Sequence, residues 1–165
     1  MRSASTRVAV LADVHANARA LRAVLGELDA DPVDAIVVAG DVVSGPHNAE
    51  VLELLNNRHQ PVHWVRGNCE SNPLKADLSD ADGSTTIDRA IWTAAALGEG
   101  WRNELRSWPI SLGLDGVRFC HGTPRDEYEI ITRATPDGGP GEALSGVAES
   151  LVVGAPARSD RRCLC

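Results

Sequence analysis

Short apolar runs alternate along the chain with segments of helical periodicity, and this alternation predicts an α/β fold. The first apolar run, residues 8–11, reads as a buried strand. Apolar residues then recur at the spacing i, i+3, i+4, i+7 between Leu21 and Leu28, which predicts an amphipathic helix. Asn17 lies just before this helix and is its predicted N-cap.

The same alternation continues to the end of the chain. Further strands are predicted at residues 35–41, 62–68, 117–121 and 149–153. Helical spacing predicts helices at residues 47–57 and 87–94, and a shorter one near 101–105. Two polar stretches, 72–84 and 135–142, are predicted to be exposed loops, the second being too short for a domain linker.

The length of 165 residues suits one domain with a substantial core. We assign residues 1–153 to this domain and predict that residues 154–165 form an aberrant or disordered tail. A hydrophobic content of 43% and a charged content of 24% are ordinary for a globular protein. The prediction of the fold class therefore rests on the alternation of apolar runs and helical segments, and not on composition.

Charge and cysteine content narrow the functional classes. The net charge of −7 argues against an extended nucleic-acid groove, which needs a basic surface. Apolar runs stay well short of the ~20 residues that span a bilayer, and the N-terminus lacks a secretory apolar region. The four cysteines have no disulfide-scaffold spacing. We therefore expect a cytoplasmic protein without a membrane partner, and the oligomeric state is left open.

Polar side chains stand where successive predicted strands end. The first strand is followed by Asp13 and His15, the second by Asp41, the third by Asn68, and the fourth ends in His121. Open α/β sheets bind ligands beyond the carboxyl ends of their strands. We therefore expect these side chains to meet at one edge of the sheet.

Carboxylate, carboxamide and imidazole donors together suit Mn²⁺, Fe, Co²⁺, Ni²⁺ or Zn²⁺, and they do not indicate an all-sulfur site. Asp41 is central in the order of the strands and could bridge two ions. Two metals about 3.5–4 Å apart can activate a bridging water and hold both oxygens of an in-line displacement at phosphorus. The pattern thus predicts hydrolysis of a phosphate ester.

Four motifs carry a family resemblance. The sequences "DVH" at 13–15, "GD" at 40–41, "GNCE" at 67–70 and "HG" at 121–122 resemble those of the calcineurin-like metallophosphoesterases, in the same order and spacing. The resemblance extends over about residues 7–153. It implies a sandwich of two β-sheets flanked by helices, which agrees with the alternation above.

The resemblance also implies roles for the strand-end residues. Asp13 and His15 would hold a first metal, Asp41 would bridge, and Asn68 with His121 would hold a second. The implied activity is hydrolysis of a phosphodiester or a small phosphomonoester by attack of a metal-bridging hydroxide, with Asp41 and Asn68 in the catalytic set. Mn²⁺ is the first expectation for both ions, with Fe, Co, Ni or Zn as alternatives.

Two residues are predicted to bind the phosphate-ester substrate, Asn17 and Arg125. Arginine binds phosphate through two parallel hydrogen bonds, and Arg125 follows the ligand candidate His121 closely. The alternative for Arg125 is an ion pair with Asp126 or Glu129 within a proline-containing turn.

One departure from the family pattern concerns Cys69. The family often has a histidine at this position, which is taken to protonate the leaving group or contact the phosphate. A bacterial and archaeal branch, often active on phosphodiesters, has cysteine there. A thiol is a poor substitute acid, so either Cys69 or a water on a metal is the proton donor. The neighbouring Glu70 is predicted to be a solvated surface carboxylate rather than a partner of the metal ligands.

The second departure is the family's final G-H-x-H motif, because no histidine follows His121. The tail is rich in residues that GC-rich DNA encodes out of frame, and we expect truncation by a frameshift or misprediction near residue 153. The C-terminal part of the fold and one ligand per ion would then be missing. Cys163 and Cys165 are weak substitute ligands. The rival to an active enzyme is a catalytically impaired, non-enzymatic remnant of such a domain.

Overall fold

The computed structural model describes residues 6–76, 85–136 and 138–155. The elements are, in chain order, β1 Val8–Leu11, α1 Ala18–Ala30, β2 Ala35–Ala39, α2 Asn48–Asn56, β3 Val62–Val65, α3 Asn68–Lys75, α4 Thr85–Ser107, β4 Ser111–Leu114, β5 Val117–His121, α5 Gly139–Ala143 and β6 Leu151–Ala155. The α4 segment has non-helical dihedrals at Gly98, so it consists of two helical pieces, as the sequence predicts.

The first sheet has the order β1-β2-β3, and both of its strand pairs are parallel. The helices α1 and α2 are the crossovers that parallel neighbours require. All five residues of β2 are buried, because this central strand is covered on both faces. This explains why its sequence is a continuous apolar run.

One face of the first sheet packs against helices. Ile36 and Val38 of β2 belong to a core that also contains Leu21 of α1 and Leu55 of α2. The N-cap of α1 is confirmed, since Asn17 Oδ1 accepts a hydrogen bond from the amide of Ala20 at 3.0 Å.

The other face of the first sheet packs against a second sheet of order β4-β5-β6, in which β4 is antiparallel and β6 parallel to β5. Val37, Val65 and Phe119 form the buried contact between the sheets. The predicted two-sheet sandwich with helices is therefore confirmed. Among the described residues, no helix is both long and apolar enough to cross a membrane.

Three local expectations are wrong. The strand β4 was not predicted, because it is short, contains Gly113 and is only partly buried. The expected loop from residue 72 lies partly in α3, which ends at Lys75, and residues 77–84 of that loop lie outside the described residues. Residues 139–142 of the second expected loop lie in α5, which ends at Ala143.

The strand β6 extends two residues past the predicted domain boundary, through Gly154 to Ala155. The rest of the expected tail, residues 156–165 with both of its cysteines, lies outside the described residues.

Candidate metal centre

The loops that follow β1 and β2 are joined at their backbones. The amide of Asp13 donates to Gly40 O at 3.2 Å, and the amide of His15 donates to Asp41 O at 2.9 Å. Asp13, His15 and Asp41 have φ values of 53°, 46° and 55°. Left-handed backbone at non-glycine residues costs about 1–3 kcal/mol each and clusters at functional sites. This conformation turns the three side chains towards a common point.

The structure brings the five predicted metal ligands together. His15 Nε2 lies 3.6 Å from Asp13 Oδ1 and 3.9 Å from Asp41 Oδ2. His121 Nε2 lies 3.4 Å from Asp41 Oδ1 and 3.1 Å from Asn68 Oδ1. The two carboxylate oxygens of Asp41 thus face different histidines. This is the central position that the order of the strands predicts for Asp41, and its role as a bridging ligand stays a prediction.

His121 is held in one orientation by its surroundings. It is fully buried, and its Nδ1 lies 3.0 Å from Ala39 O. A carbonyl oxygen only accepts, so Nδ1 is the donor to Ala39, and Nε2 is the ring nitrogen turned towards the site. Gly40 permits this packing, because a Cβ there would lie 2.7 Å from the His121 Cβ. Nε2 faces oxygens of Asp41 and Asn68, and these three atoms are donor types that a divalent cation takes as ligands.

Glu70 corrects the expectation of a surface carboxylate, because it is fully buried. Its Oε1 accepts from the amides of Val42 and Val43 at 2.8 and 3.1 Å, and its Oε2 accepts from those of Asp41 and Gly67 at 2.9 and 2.8 Å. Burial, and then the nearby Asp41 carboxylate, raise the pKa of Glu70, while the amides of Val43, Gly67 and Asp41 oppose the rise. Glu70, at the start of α3, therefore holds the loop that contains Asp41 in place.

Cys69 is a site residue whose place the sequence left open. It is 6% exposed, its amide donates to Asp41 Oδ1 at 2.9 Å, and its Sγ lies 3.8 Å from His15 Nδ1. The signal that locates it is Glu70, three residues after Gly67, which is the spacing of a carboxylate that reaches back to a helix start. Pro73 inside α3 obscured that signal, because proline usually marks the end of a helix.

Two overlapping groups of side chains could hold cations. One consists of His15, Asp41 and Cys69 and the other of Asp13, Asp41 and His121, with ligand atoms within 4.8 Å of one another in each. A hydrogen bond to Asp13 chiefly raises the pKa of His15, with burial opposing and nearby carboxylates assisting. Partly enclosed carboxylates beside imidazoles, sharing one central carboxylate, are donors that fit two divalent cations.

The two predicted substrate-binding residues have intramolecular partners. Arg125 pairs with Glu129, with 2.8 Å between Nε and Oε2, which is the alternative interpretation of its sequence. Hydrogen bonds from Arg125 and Thr123 lower the pKa of Glu129 to about 2. Asn17 caps α1 through its side-chain oxygen. Phosphate binding by Asn17 and Arg125 stays a prediction.

Comparison with known proteins places the chain in a family. The model of the family described as calcineurin-like phosphoesterase matches residues 6–146. The chain belongs to this family. It therefore carries a phosphoesterase domain of a kind that binds divalent metals, and the resemblance noted in the motifs is confirmed.

Two crystal structures resemble the chain. A metallophosphoesterase from Sphaerobacter thermophilus has 31% sequence identity and a TM-score of 0.64, over 78% of this chain and 51% of that one. A hypothetical protein from Pyrococcus horikoshii OT3 has 23% identity and a TM-score of 0.74, over 93% of this chain and 70% of that one, and shows the shared fold alone. The match thus spans about half of the Sphaerobacter protein. No curated protein matches the chain significantly.

Proposed function

We propose that the protein hydrolyses a phosphodiester or a small phosphomonoester with the help of two divalent cations. The observation that carries this proposal is the position of Asp41, whose two carboxylate oxygens lie 3.4 Å and 3.9 Å from nitrogens of two different histidines. One buried carboxylate between two donor groups is what a pair of adjacent cations requires. Family membership supports the same reaction class.

Following the family resemblance, we assign the residues to two sites that share Asp41. Asp13, His15 and Asp41 would hold one cation, and Asp41, Asn68 and His121 the other. Bound there, two cations would supply water activation and charge neutralisation for displacement at phosphorus. Mn²⁺ is our first candidate, with Fe, Co, Ni or Zn as alternatives.

The charges of the site explain why cations must precede substrate. Asp13 and Asp41 place two carboxyl groups beside the two histidines. A phosphate anion is repelled by these carboxylates unless bound divalent cations reverse the local field. The protein groups therefore act by holding and orienting donors, and Glu70 keeps the Asp41 backbone in place through its amide hydrogen bonds.

The test is turnover of bis-p-nitrophenyl phosphate and p-nitrophenyl phosphate by the full chain with Mn²⁺, Zn²⁺, Co²⁺ or Ni²⁺, with and without a chelator. We expect metal-dependent turnover that Asp41→Asn lowers by more than about 100-fold, since even residues that only support metal ligands cost about 10–100-fold. The ratio of diester to monoester turnover assigns the substrate class.

Asp31→Asn is the matched control, because it removes an exposed carboxylate that pairs with Arg7 and belongs to neither group of candidate metal ligands. It should keep wild-type turnover. Folded wild-type protein that turns over neither substrate with any of these metals would contradict the proposal and support the non-enzymatic remnant.

A further inference from the structure

The family resemblance leaves the role of the Cys69 thiol open, and the atoms around the thiol indicate a role for it. We propose that Cys69 Sγ is itself a ligand of a cation that His15 and Asp41 would hold with it. This inference rests on the proposed metal centre and adds a sulfur donor to it. It makes Cys69 a binding residue instead of the proton donor considered from the sequence.

The distances support a sulfur ligand. Typical bonds of about 2.3 Å from zinc to sulfur and about 2.0–2.1 Å from zinc to nitrogen put the two ligand atoms roughly 3.5 Å apart at a tetrahedral angle. The Cys69 Sγ and His15 Nδ1 are 3.8 Å apart, and an Asp41 carboxylate oxygen completes a group whose ligand atoms all lie within 4.8 Å. Asp13 Oδ1 lies 3.6 Å from the other ring nitrogen, Nε2, so it is not counted in this group. One sulfur, one nitrogen and one oxygen donor, from Cys69, His15 and Asp41, therefore lie within reach of a single cation.

The backbone holds the thiol in this position. The Cys69 amide donates to Asp41 Oδ1 at 2.9 Å, which ties the cysteine directly to the shared carboxylate. Cys69 is the second residue of α3, and the N-terminus of a helix favours negative charge. Asn68 Nδ2 lies 3.6 Å from the sulfur and can donate to it. On metal binding the thiol releases its proton to solvent, and a sulfur lone pair forms the new bond.

A sulfur ligand has two consequences. A metal-bound thiolate has no proton to give, so Cys69 does not protonate the leaving group. Thiolate ligands also favour Zn²⁺ and Co²⁺ over Mn²⁺, which prefers oxygen donors. The cation of this group should therefore be thiophilic, unlike the cation of the Asn68 and His121 group.

The experiment uses Co²⁺, because a thiolate bound to Co²⁺ gives a sulfur-to-metal charge-transfer band in the near ultraviolet. The full chain is titrated with Co²⁺ in a Cys163→Ser, Cys165→Ser background, so that only Cys69 and Cys120 remain. Absorbance and bound cobalt are measured together. We expect the band to grow in step with the first equivalent of tightly bound cobalt.

Cys69→Ser in the same background should abolish the band and weaken Zn²⁺ binding at least tenfold, with a smaller change for Mn²⁺. Cys120→Ser is the matched control, because that thiol is also buried but its Sγ contacts Gly122 O at 3.7 Å and not the donor groups. It should leave the band intact. Cys69→Asp is the second variant, because it replaces sulfur by oxygen and should lose the band while retaining cobalt.

The outcomes separate this inference from the proposed function. Tight cobalt binding without the band in the parent protein would overturn the sulfur ligand and leave Cys69 as a hydrogen-bond partner of His15, while the metal centre stands. A band that survives Cys69→Ser would overturn it as well. Failure of the folded parent to bind cobalt or zinc at all would refute both the ligand and the metal centre.

Discussion

The two sheets of the molecule differ in how completely they are covered. Every residue of β2, at the centre of the first sheet, is buried between helices and the second sheet. In the second sheet, β6 begins with Leu151, which is 54% exposed, and only Ala155 of that strand is buried. The first sheet is thus an interior layer, and the second is covered chiefly through Phe119 and its partly buried neighbours.

The donors follow the same division. Asp13, His15 and Asp41 come from the loops after the first sheet, and Asn68 from α3, which follows its last strand. The second sheet contributes His121 alone among the predicted ligands. A site assembled mainly on the better-packed sheet is held by rigid backbone, which is what fixed ligand geometry needs. Variants that weaken each sheet separately can test this division.

The largest effect is expected at Glu70, which joins the two parts of the site on the first sheet. Glu70→Ala would leave four backbone amides without their acceptor, and each buried donor left so costs about 1–3 kcal/mol. We expect a loss of about 4 kcal/mol or more in the free energy of unfolding, measured by urea denaturation. Glu53→Ala, an exposed glutamate on α2, is the control and should change stability by less than about 0.5 kcal/mol. Equal effects of the two variants would show that Glu70 is not structural.

A smaller effect is expected where the sheets meet. Phe119→Ala should cost about 3–4 kcal/mol, because a buried phenylalanine leaves a cavity between the layers. Leu151→Ala on β6 should cost less than about 1 kcal/mol, since its side chain is more than half exposed.

Hydrogen exchange of the same two variants sharpens the comparison. Phe119→Ala should speed exchange in β5 and β6 more than in β2. A uniform increase across both sheets would show that the layers unfold as one unit and that the difference in burial has no dynamic consequence.

The smallest effect concerns an ion pair within the second sheet. Arg118 on β5 lies 2.7 Å from Glu149, just before β6, and lowers the pKa of Glu149. A carboxyl group whose pKa is lowered in the folded protein stabilises the fold at any pH above its ordinary pKa, here 4.5. This stabilisation is lost as the pH falls through the lowered pKa.

Thermal melting of the wild type and Glu149→Gln tests that ion pair. The wild type should melt slightly higher near neutral pH, and the difference should shrink as the pH falls below 4.5. A difference that is unchanged in acid would assign the effect to packing of the side chain and not to its charge.

Much of the fold could be predicted because its signals are local. An apolar run such as that of β2 buries both faces, and helical spacing such as that of α1 buries one, whatever the rest of the chain does. Asn17 caps α1 as predicted. The short strand β4 gave no such signal, because pairing with β5 and not its own sequence makes it a strand.

The candidate site could be predicted in part for the same reason. Strand ends are local features of the sequence, and a parallel sheet places successive strand ends at one edge. The five polar side chains at the strand ends were therefore expected to lie together: Asp13, His15, Asp41, Asn68 and His121. The sequence did not predict the burial of Glu70 or the contact of Cys69 with His15. Both depend on the packing of the start of α3 against the loops after β1 and β2.

The sequence by itself determined the order of the elements and the set of polar groups at the strand ends, because backbone periodicity and residue type are properties of neighbouring positions. Only the tertiary structure decided which groups lie within bonding distance and which carboxylate is enclosed. Those facts depend on residues distant in the chain, 28 positions apart for Asp41 with Cys69 and 82 for Ala39 with His121, and on the packing of one layer against another. Contacts of that range follow from the whole fold and leave no periodic trace in the chain.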